Sequence, residues 1–269
     1  MRDVRVLLKN DNTQGTKYSH IVVDEAQDLN DEAFRLLRDI VPESKNDIFI
    51  VGDAHQRIYG HKVVLGQCGI KIIGRSKKLK LNYRTTDEIR KWAVALLDGE
   101  IVDDMDDGVD SNKDYKSLYH GPKPLIKHFE NYENEVKFIE SYILDLKKED
   151  ESCRICIVAR TQKIIDSYNT HLNNKNIPTV KISRNTKDNI SNTGIRLATM
   201  HRVKGLDFDH VIIASMNKGL VPLKLGEKSE EAQIEIEKLT KEKSLVFVAA
   251  TRAKKSLLIS SYGERSEFL

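Results

Sequence analysis

Apolar residues in this chain occur in short runs bounded by polar ones, alternating with longer stretches in which they return at helical spacing. The first run is His20-Ile-Val-Val-Asp-Glu-Ala-Gln-Asp28. A segment that is apolar throughout, rather than alternating, predicts a strand of a parallel sheet covered on both faces. Asp47-Ile-Phe-Ile-Val-Gly-Asp53 repeats the pattern, so two predicted buried strands end in acids. The carboxyl edge of an open α/β sheet is where ligands bind. Between the two strands, Asn30 is placed to cap a helix whose apolar positions Ala33, Phe34, Leu37 and Val41 share one face, with Pro42 limiting its length.

Further along, Leu81-Asn-Tyr-Arg-Thr-Thr86 is expected to open a helix, with Thr85 and Glu88 at capping-box spacing and Ile89, Trp92, Ala93, Leu96 and Leu97 turned inward. Residues 98 to 114 carry eight acids and one lysine, which predicts a solvated loop too polar to pack. From Pro124 the pattern becomes regular. Strands are expected at 124–129, 154–159, 178–182, 195–199 and 210–214, and one at 256–260 closes the sheet. Helices are expected at 133–148, at 161–174 and from about Ser229. Strand, helix and strand in alternation make an α/β fold with parallel sheets.

Composition narrows the class without fixing it. The 269 residues, 39% apolar and 32% charged, suit a globular protein of one large or two ordinary domains. The formal charge of +3 is the near cancellation of 44 basic and 41 acidic side chains, so net charge decides nothing about nucleic acid and local patches must. Three cysteines cannot all pair, and no run is apolar enough to span a bilayer. A reducing, cytoplasmic setting without membrane association is expected. Cys153 and Cys156 fall inside a predicted strand with no second pair to complete a zinc site, so they are expected in the core.

The chemistry begins with Asp24 and Glu25. An Asp–Glu pair at the end of a buried strand suits an aspartate that holds Mg²⁺ through water and a glutamate that orients and deprotonates an attacking water. The plainer alternative is a solvated turn into a helix.

Five segments in order then carry a resemblance: Asp24-Glu-Ala-Gln-Asp28, Gly52-Asp-Ala-His-Gln-Arg-Ile-Tyr59, Asn82-Tyr-Arg-Thr85, Thr199-Met-His-Arg-Val-Lys-Gly-Leu-Asp207 and Val248-Ala-Ala-Thr-Arg-Ala-Lys254. Together they resemble motifs II to VI of the UvrD/Rep/PcrA-type superfamily 1 DNA helicases, over about residues 18 to 261. The resemblance implies two RecA-like parallel-sheet lobes with ATP held between them. Residues 1–86 would be the carboxyl-terminal part of an incomplete lobe 1A, and 87–269 would be lobe 2A. By motif, Asp24 would hold Mg²⁺, Glu25 would be the base, Gln56 would sense the γ-phosphate and Tyr83 would stack on adenine. Gly205 and Asp207 would contact the nucleotide, and Arg84 and Arg252 would neutralise the transferring phosphoryl group. Tyr59, Thr199 and His201 would contact single-stranded DNA. His55 has no motif counterpart and is expected at the surface.

Departures from the family pattern accompany the matches. Asp207 stands where the family has Glu, and His61 and Lys62 replace an aromatic residue and an arginine. No Gly-x-x-x-x-Gly-Lys-[Ser/Thr] loop occurs. An upstream polypeptide carrying that phosphate loop and the 1B insertion is therefore expected, and the 2B insertion is expected to be absent. The expected activity is ATP-driven 3′-to-5′ movement on single-stranded DNA; the alternative is a non-catalytic nucleic-acid-binding or regulatory module.

Overall fold

The computed structural model describes residues 18–59, 62–100, 102, 103, 105, 108–110, 115–183, 188, 192–223 and 232–269. Residues 1 to 17, His61 and the expected helix start at Ser229 lie outside them. The chain forms two compact units: Met1–Leu79 with Gly99–Lys113, and Lys80–Asp98 with Asp114–Leu269.

In the first unit, β1 (Ile21–Val23) and β2 (Ile48–Ile50) pair in parallel, with Val22 opposite Phe49. Helix α1 (Asp31–Ile40) is capped as expected, Asn30 Oδ1 accepting from the Ala33 amide at 2.8 Å. Its Phe34 joins Val23, Ala26, Val63 and Leu65 in a small core. The expectation of strands covered on both faces does not hold here, since Val22 is 74% and Phe49 62% exposed. Successive residues of a strand point to opposite faces, and in this unit the core lies on one face only.

The acidic stretch after Asp98 also departs from a purely solvated loop. It contains the antiparallel pair β4 (Val102–Asp103) and β5 (Val109–Asp110), and Asp103 is buried against a forked hydrogen bond from Arg57. Asp103 thus has an internal partner, which removes the usual cost of burying a carboxylate.

The second unit opens with β3 (Leu81–Thr86), which pairs in parallel with β6 (Lys116–Tyr119). Leu81–Thr86 is therefore a strand rather than the start of a helix, and helix α2 (Asp87–Ala95) begins after it. The cap is Thr86, whose Oγ1 accepts from the Ile89 amide at 3.5 Å, one residue later than spacing suggested. Glu88 is turned elsewhere, to His120 and the Gly121 amide. Because β3 pairs with β6, it belongs with the second unit, ahead of the expected boundary at 86/87.

A six-stranded sheet forms the body of this unit. Its strands are β7 (Leu125–Phe129), β8 (Ile155–Ala159), β9 (Thr179–Lys181), β10 (Ile195–Thr199), β11 (Phe208–Ile213) and β12 (Ala253–Tyr262), in the order β7-β12-β11-β8-β10-β9. Every neighbour pair is parallel. β12 does not close the sheet but lies inside it, between β7 and β11. All five residues of β8 are buried, as a central parallel strand requires. Helices α3 (Tyr132–Glu149) and α4 (Gln162–Asn174) cover one face through Val136, Ile139, Ile143, Ile165, Tyr168 and Leu172. The carboxyl-terminal half of α5 (Ala232–Ala250) is buried from Ser244 to Ala250. Cys153 and Cys156 are buried free thiols, and burial raises both pKa values.

Candidate nucleotide and nucleic-acid residues

Two groups of side chains stand out, one in each unit: the first follows β1 and β2, the second draws on β3, β6 and the starts of β11 and β12. In the first unit, β1 runs directly into Asp24 and Glu25, both exposed. The strand end is fixed by the β2 partner: the Val51 amide donates to Val23 O at 2.8 Å and the Ala26 amide to Val51 O at 3.0 Å. Glu25 adopts left-handed backbone, φ 51° and ψ 40°, with its own amide held by Asp24 Oδ1 at 2.8 Å. For a residue with a side chain this conformation costs on the order of 1–3 kcal/mol and recurs where function demands a particular aim.

Gln27, two residues on, is 2% exposed. Its Nε2 donates to Glu25 Oε2 at 2.6 Å and its Oε1 accepts the Asp53 amide at 3.0 Å. Gly52 leaves room for this, because a Cβ there would lie 2.9 Å from Gln27 Oε1. Asp53 in turn accepts from the His55 amide, from His55 Nδ1 at 3.1 Å and from Gln56 Nε2 at 2.9 Å. Burial opposes ionisation of Asp53, but His55 and then Gln56 more than offset it, so its pKa lies below the usual carboxylate value. His55 is therefore not a surface residue; it is 4% exposed because it closes this turn. Tyr59, by contrast, is 53% exposed.

Asp24 and Glu25 fit a magnesium ion in a limited sense. Mg²⁺ is held by one or two carboxylates plus phosphates and water rather than by a protein cage. Asp24 offers an exposed carboxylate, and among the described residues no group of three His, Cys, Asp or Glu could hold a metal.

In the second unit, Tyr83, Arg84, Tyr119, Asp207, Lys254 and Lys255 line an open cavity of about 510 Å³, within the usual range for small-molecule sites. Tyr83 and Arg84 come from β3, Asp207 from the turn before β11, and the lysines from β12. Asp207 is held by Lys254 at 2.5 Å and Arg154 at 3.7 Å. Burial opposes its ionisation, and Lys254, with help from Arg84 and Arg154, overcomes this and keeps its pKa below the usual value. Gly205, two residues earlier, has φ +79°, a left-handed conformation that glycine adopts without penalty.

The other residues singled out by sequence are placed separately. Arg252 does not line the cavity; it is 1% exposed, and its Nε donates to Val248 O at 3.0 Å. Thr199 ends β10 half-buried, with the Arg202 amide donating to its carbonyl oxygen at 2.8 Å. His201 is half-buried in the same turn. Burial, then the positive charge of Arg160, hold its pKa below the usual histidine value. Arg160 itself forks onto Glu242 at 2.6–3.1 Å.

Sequence reasoning passed over Gln27, Tyr119 and Lys254 as site residues. Gln27 and Lys254 lie inside quoted motifs and could have been weighed there. Tyr119 carried no signal, since only the β3–β6 pairing brings it to Tyr83.

The UvrD-like helicase C-terminal domain family model matches residues 77–187 and 180–264, and the UvrD/REP helicase N-terminal domain model matches residues 7–64. The chain belongs to the UvrD-like helicase family.

Relatives are named as DNA helicases. A probable DNA helicase of Mycoplasma pneumoniae is 25% identical over 93% of this chain and 46% of its own length. The putative ATP-dependent DNA helicase YjcD of Bacillus subtilis is 30% identical over 44% of this chain and 15% of its own. This UvrD-like chain thus spans less than half the length of these curated relatives. A solved C-terminal domain of a possible DNA helicase from Lactobacillus plantarum covers 91% of its own chain and 70% of this one, at 17% identity and a TM-score of 0.48. That likeness is too loose to carry the assignment, which rests on the family models.

Proposed function

We propose that this UvrD-like chain is the carboxyl-terminal portion of an ATP-dependent helicase that moves 3′ to 5′ along single-stranded DNA, in the cytoplasm, with the phosphate loop and 1B insertion supplied by an upstream polypeptide. The observation that carries it is convergence. Tyr83 and Arg84 of one motif, Asp207 of a second and Lys254 of a third line a single cavity although they are far apart in sequence.

In this reading Tyr83 stacks on the adenine ring, Asp207 and the turn at Gly205 contact the nucleoside, and Arg84 faces the phosphates. Arg252 is the second arginine of the motif set. In the first unit Glu25 is the base, aimed by its left-handed backbone and by Gln27, and Gln56, held on Asp53, senses the γ-phosphate. Asp24 would hold Mg²⁺, which when bound neutralises charge on the phosphates. Tyr59, Thr199 and His201 contact the DNA strand. Among the described residues no helix is long and apolar enough to cross a membrane.

The experiment is strand displacement by the protein that includes the upstream segment, on duplexes with 3′ or 5′ single-stranded tails. ATP-dependent displacement from the 3′-tailed duplex is expected. Displacement from the 5′ tail alone would overturn the polarity, and ATP-independent binding without displacement would favour a regulatory module.

A further inference from the structure

The second-unit cavity contains an aromatic residue that no motif assigns. Tyr119 ends β6 and is 57% exposed; it lines the same cavity as Tyr83, which is 65% exposed. Its backbone is nonetheless held. Tyr119 pairs in register with Thr86, and Glu88 accepts from His120 Nδ1 at 3.0 Å and from the Gly121 amide at 2.9 Å. The chain passes so close here that a Cβ on Gly121 would come within 2.7 Å of Thr86 Cγ2. An exposed phenol ring on a fixed backbone loses little freedom when a flat ligand lies on it, which is the property that makes tyrosine a frequent binding residue.

The charges around the two rings are unequal in availability. Lys254 is committed to Asp207, and Lys255 to Asp209 at 3.3 Å and Asp150 at 3.4 Å. Among the described residues no hydrogen bond or ion pair engages the Arg84 guanidinium, and Arg84 is exposed on the same cavity. Two aromatic faces, a carboxylate held in place and an exposed guanidinium outside any direct hydrogen bond or ion pair match a nucleoside triphosphate: base, ribose hydroxyls and phosphate.

We propose that Tyr119 is a second base-stacking residue of the nucleotide site, sharing the purine ring with Tyr83. The inference rests on the nucleotide reading of this cavity and adds a residue outside the helicase motifs to it. The second unit then recognises the base through two strands, β3 and β6, rather than through β3 alone.

Saturation-transfer NMR with millimolar ATP and the 269-residue chain tests it, because the method reads weak binding and reports which ligand protons touch the protein. Saturation of adenine H2 and H8 is expected. Tyr119→Ala and Tyr119→Leu should each weaken ATP binding roughly fivefold or more, the usual worth of one stacked base. Tyr119→Phe should bind as the parent does, since stacking needs the ring and not the hydroxyl. Unchanged binding in both Tyr119→Ala and Tyr119→Leu, with loss in Tyr83→Ala, would overturn the role of Tyr119 and leave the nucleotide site standing. An absence of adenine saturation in the parent would overturn both together.

Discussion

Gln27 Nε2 reaches Glu25 Oε2 at 2.6 Å while Gln27 Oε1 takes the Asp53 amide at 3.0 Å, so one buried amide couples the end of β1 to the turn after β2. Asp53 extends the chain to Gln56. The proposed base and the proposed γ-phosphate sensor are therefore connected by three consecutive hydrogen bonds within one unit.

Gly52→Ala should disturb this link. The new methyl group would meet Gln27 Oε1 at 2.9 Å and Ala26 Cβ at 3.1 Å, and Gln27 cannot swing away without giving up both its hydrogen bonds. A loss of about 1–3 kcal/mol is expected from overpacking, measured by urea denaturation followed by a probe in the first unit. Parental stability would mean that Gln27 is not fixed in solution.

ATP turnover by the 269-residue chain should be negligible, with or without single-stranded DNA. A phosphate loop supplies the lysine and most of the backbone donors to the triphosphate, and the pattern Gly-x-x-x-x-Gly-Lys-[Ser/Thr] does not occur in the 269 residues. Phosphate-release assays measure this. Robust DNA-stimulated turnover that disappears in Glu25→Gln would show that another phosphate site exists.

The two motif arginines should separate by stability. Arg84 is exposed, so Arg84→Ala should change the unfolding free energy by no more than about 0.5 kcal/mol. Arg252 is fully buried and bonded to the Val248 carbonyl of the preceding helix α5, so Arg252→Ala should cost about 2–5 kcal/mol through the cavity and the freed carbonyl. In the proposed longer protein Arg84→Ala should cut turnover by about 10³ with little effect on nucleotide affinity, and Arg84→Lys should not restore it. Near-normal turnover in Arg84→Ala would remove it from the reaction.

Single-stranded DNA should bind the chain weakly and lose affinity steeply with added salt. Tyr59→Ala should remove about 1–3 kcal/mol of that binding, as its exposed ring permits. Fluorescence anisotropy with a labelled oligonucleotide at two salt concentrations reads both effects. Tighter binding of duplex than of single strand would count against the stacking role.

Acid should weaken the second unit through Asp87. Hydrogen bonds from Lys91, then Arg90, hold its carboxyl well below the ordinary value of 3.8. The unfolded chain takes up that proton first, so the contribution is complete above about pH 3.8 and falls as pH drops from there through the folded value. Asp87→Asn should therefore flatten the acid limb of stability and leave the limb above neutrality unchanged, as followed by circular dichroism from pH 2 to 8. An identical acid limb would mean that the contacts do not persist in solution.

The sequence by itself determined the α/β class, most strand and helix positions from β7 onward, the Asn30 cap and the five helicase motifs in order. All of these depend on residues close together in the chain: apolar runs, 3.6-residue spacing and short signatures of Gly, Asp, Gln and Arg. Tertiary structure decided what depends on distant pairing. It made Leu81–Thr86 a strand, because its partner Lys116–Tyr119 lies beyond the acidic stretch, and thereby moved the cap from Thr85 to Thr86. It buried His55 against Asp53 and Asp103 against Arg57, and it set β12 inside the sheet rather than at its edge. It also brought Tyr119 to the cavity of Tyr83 and Asp207, because strand register acts across a sheet and leaves no periodic mark along the chain.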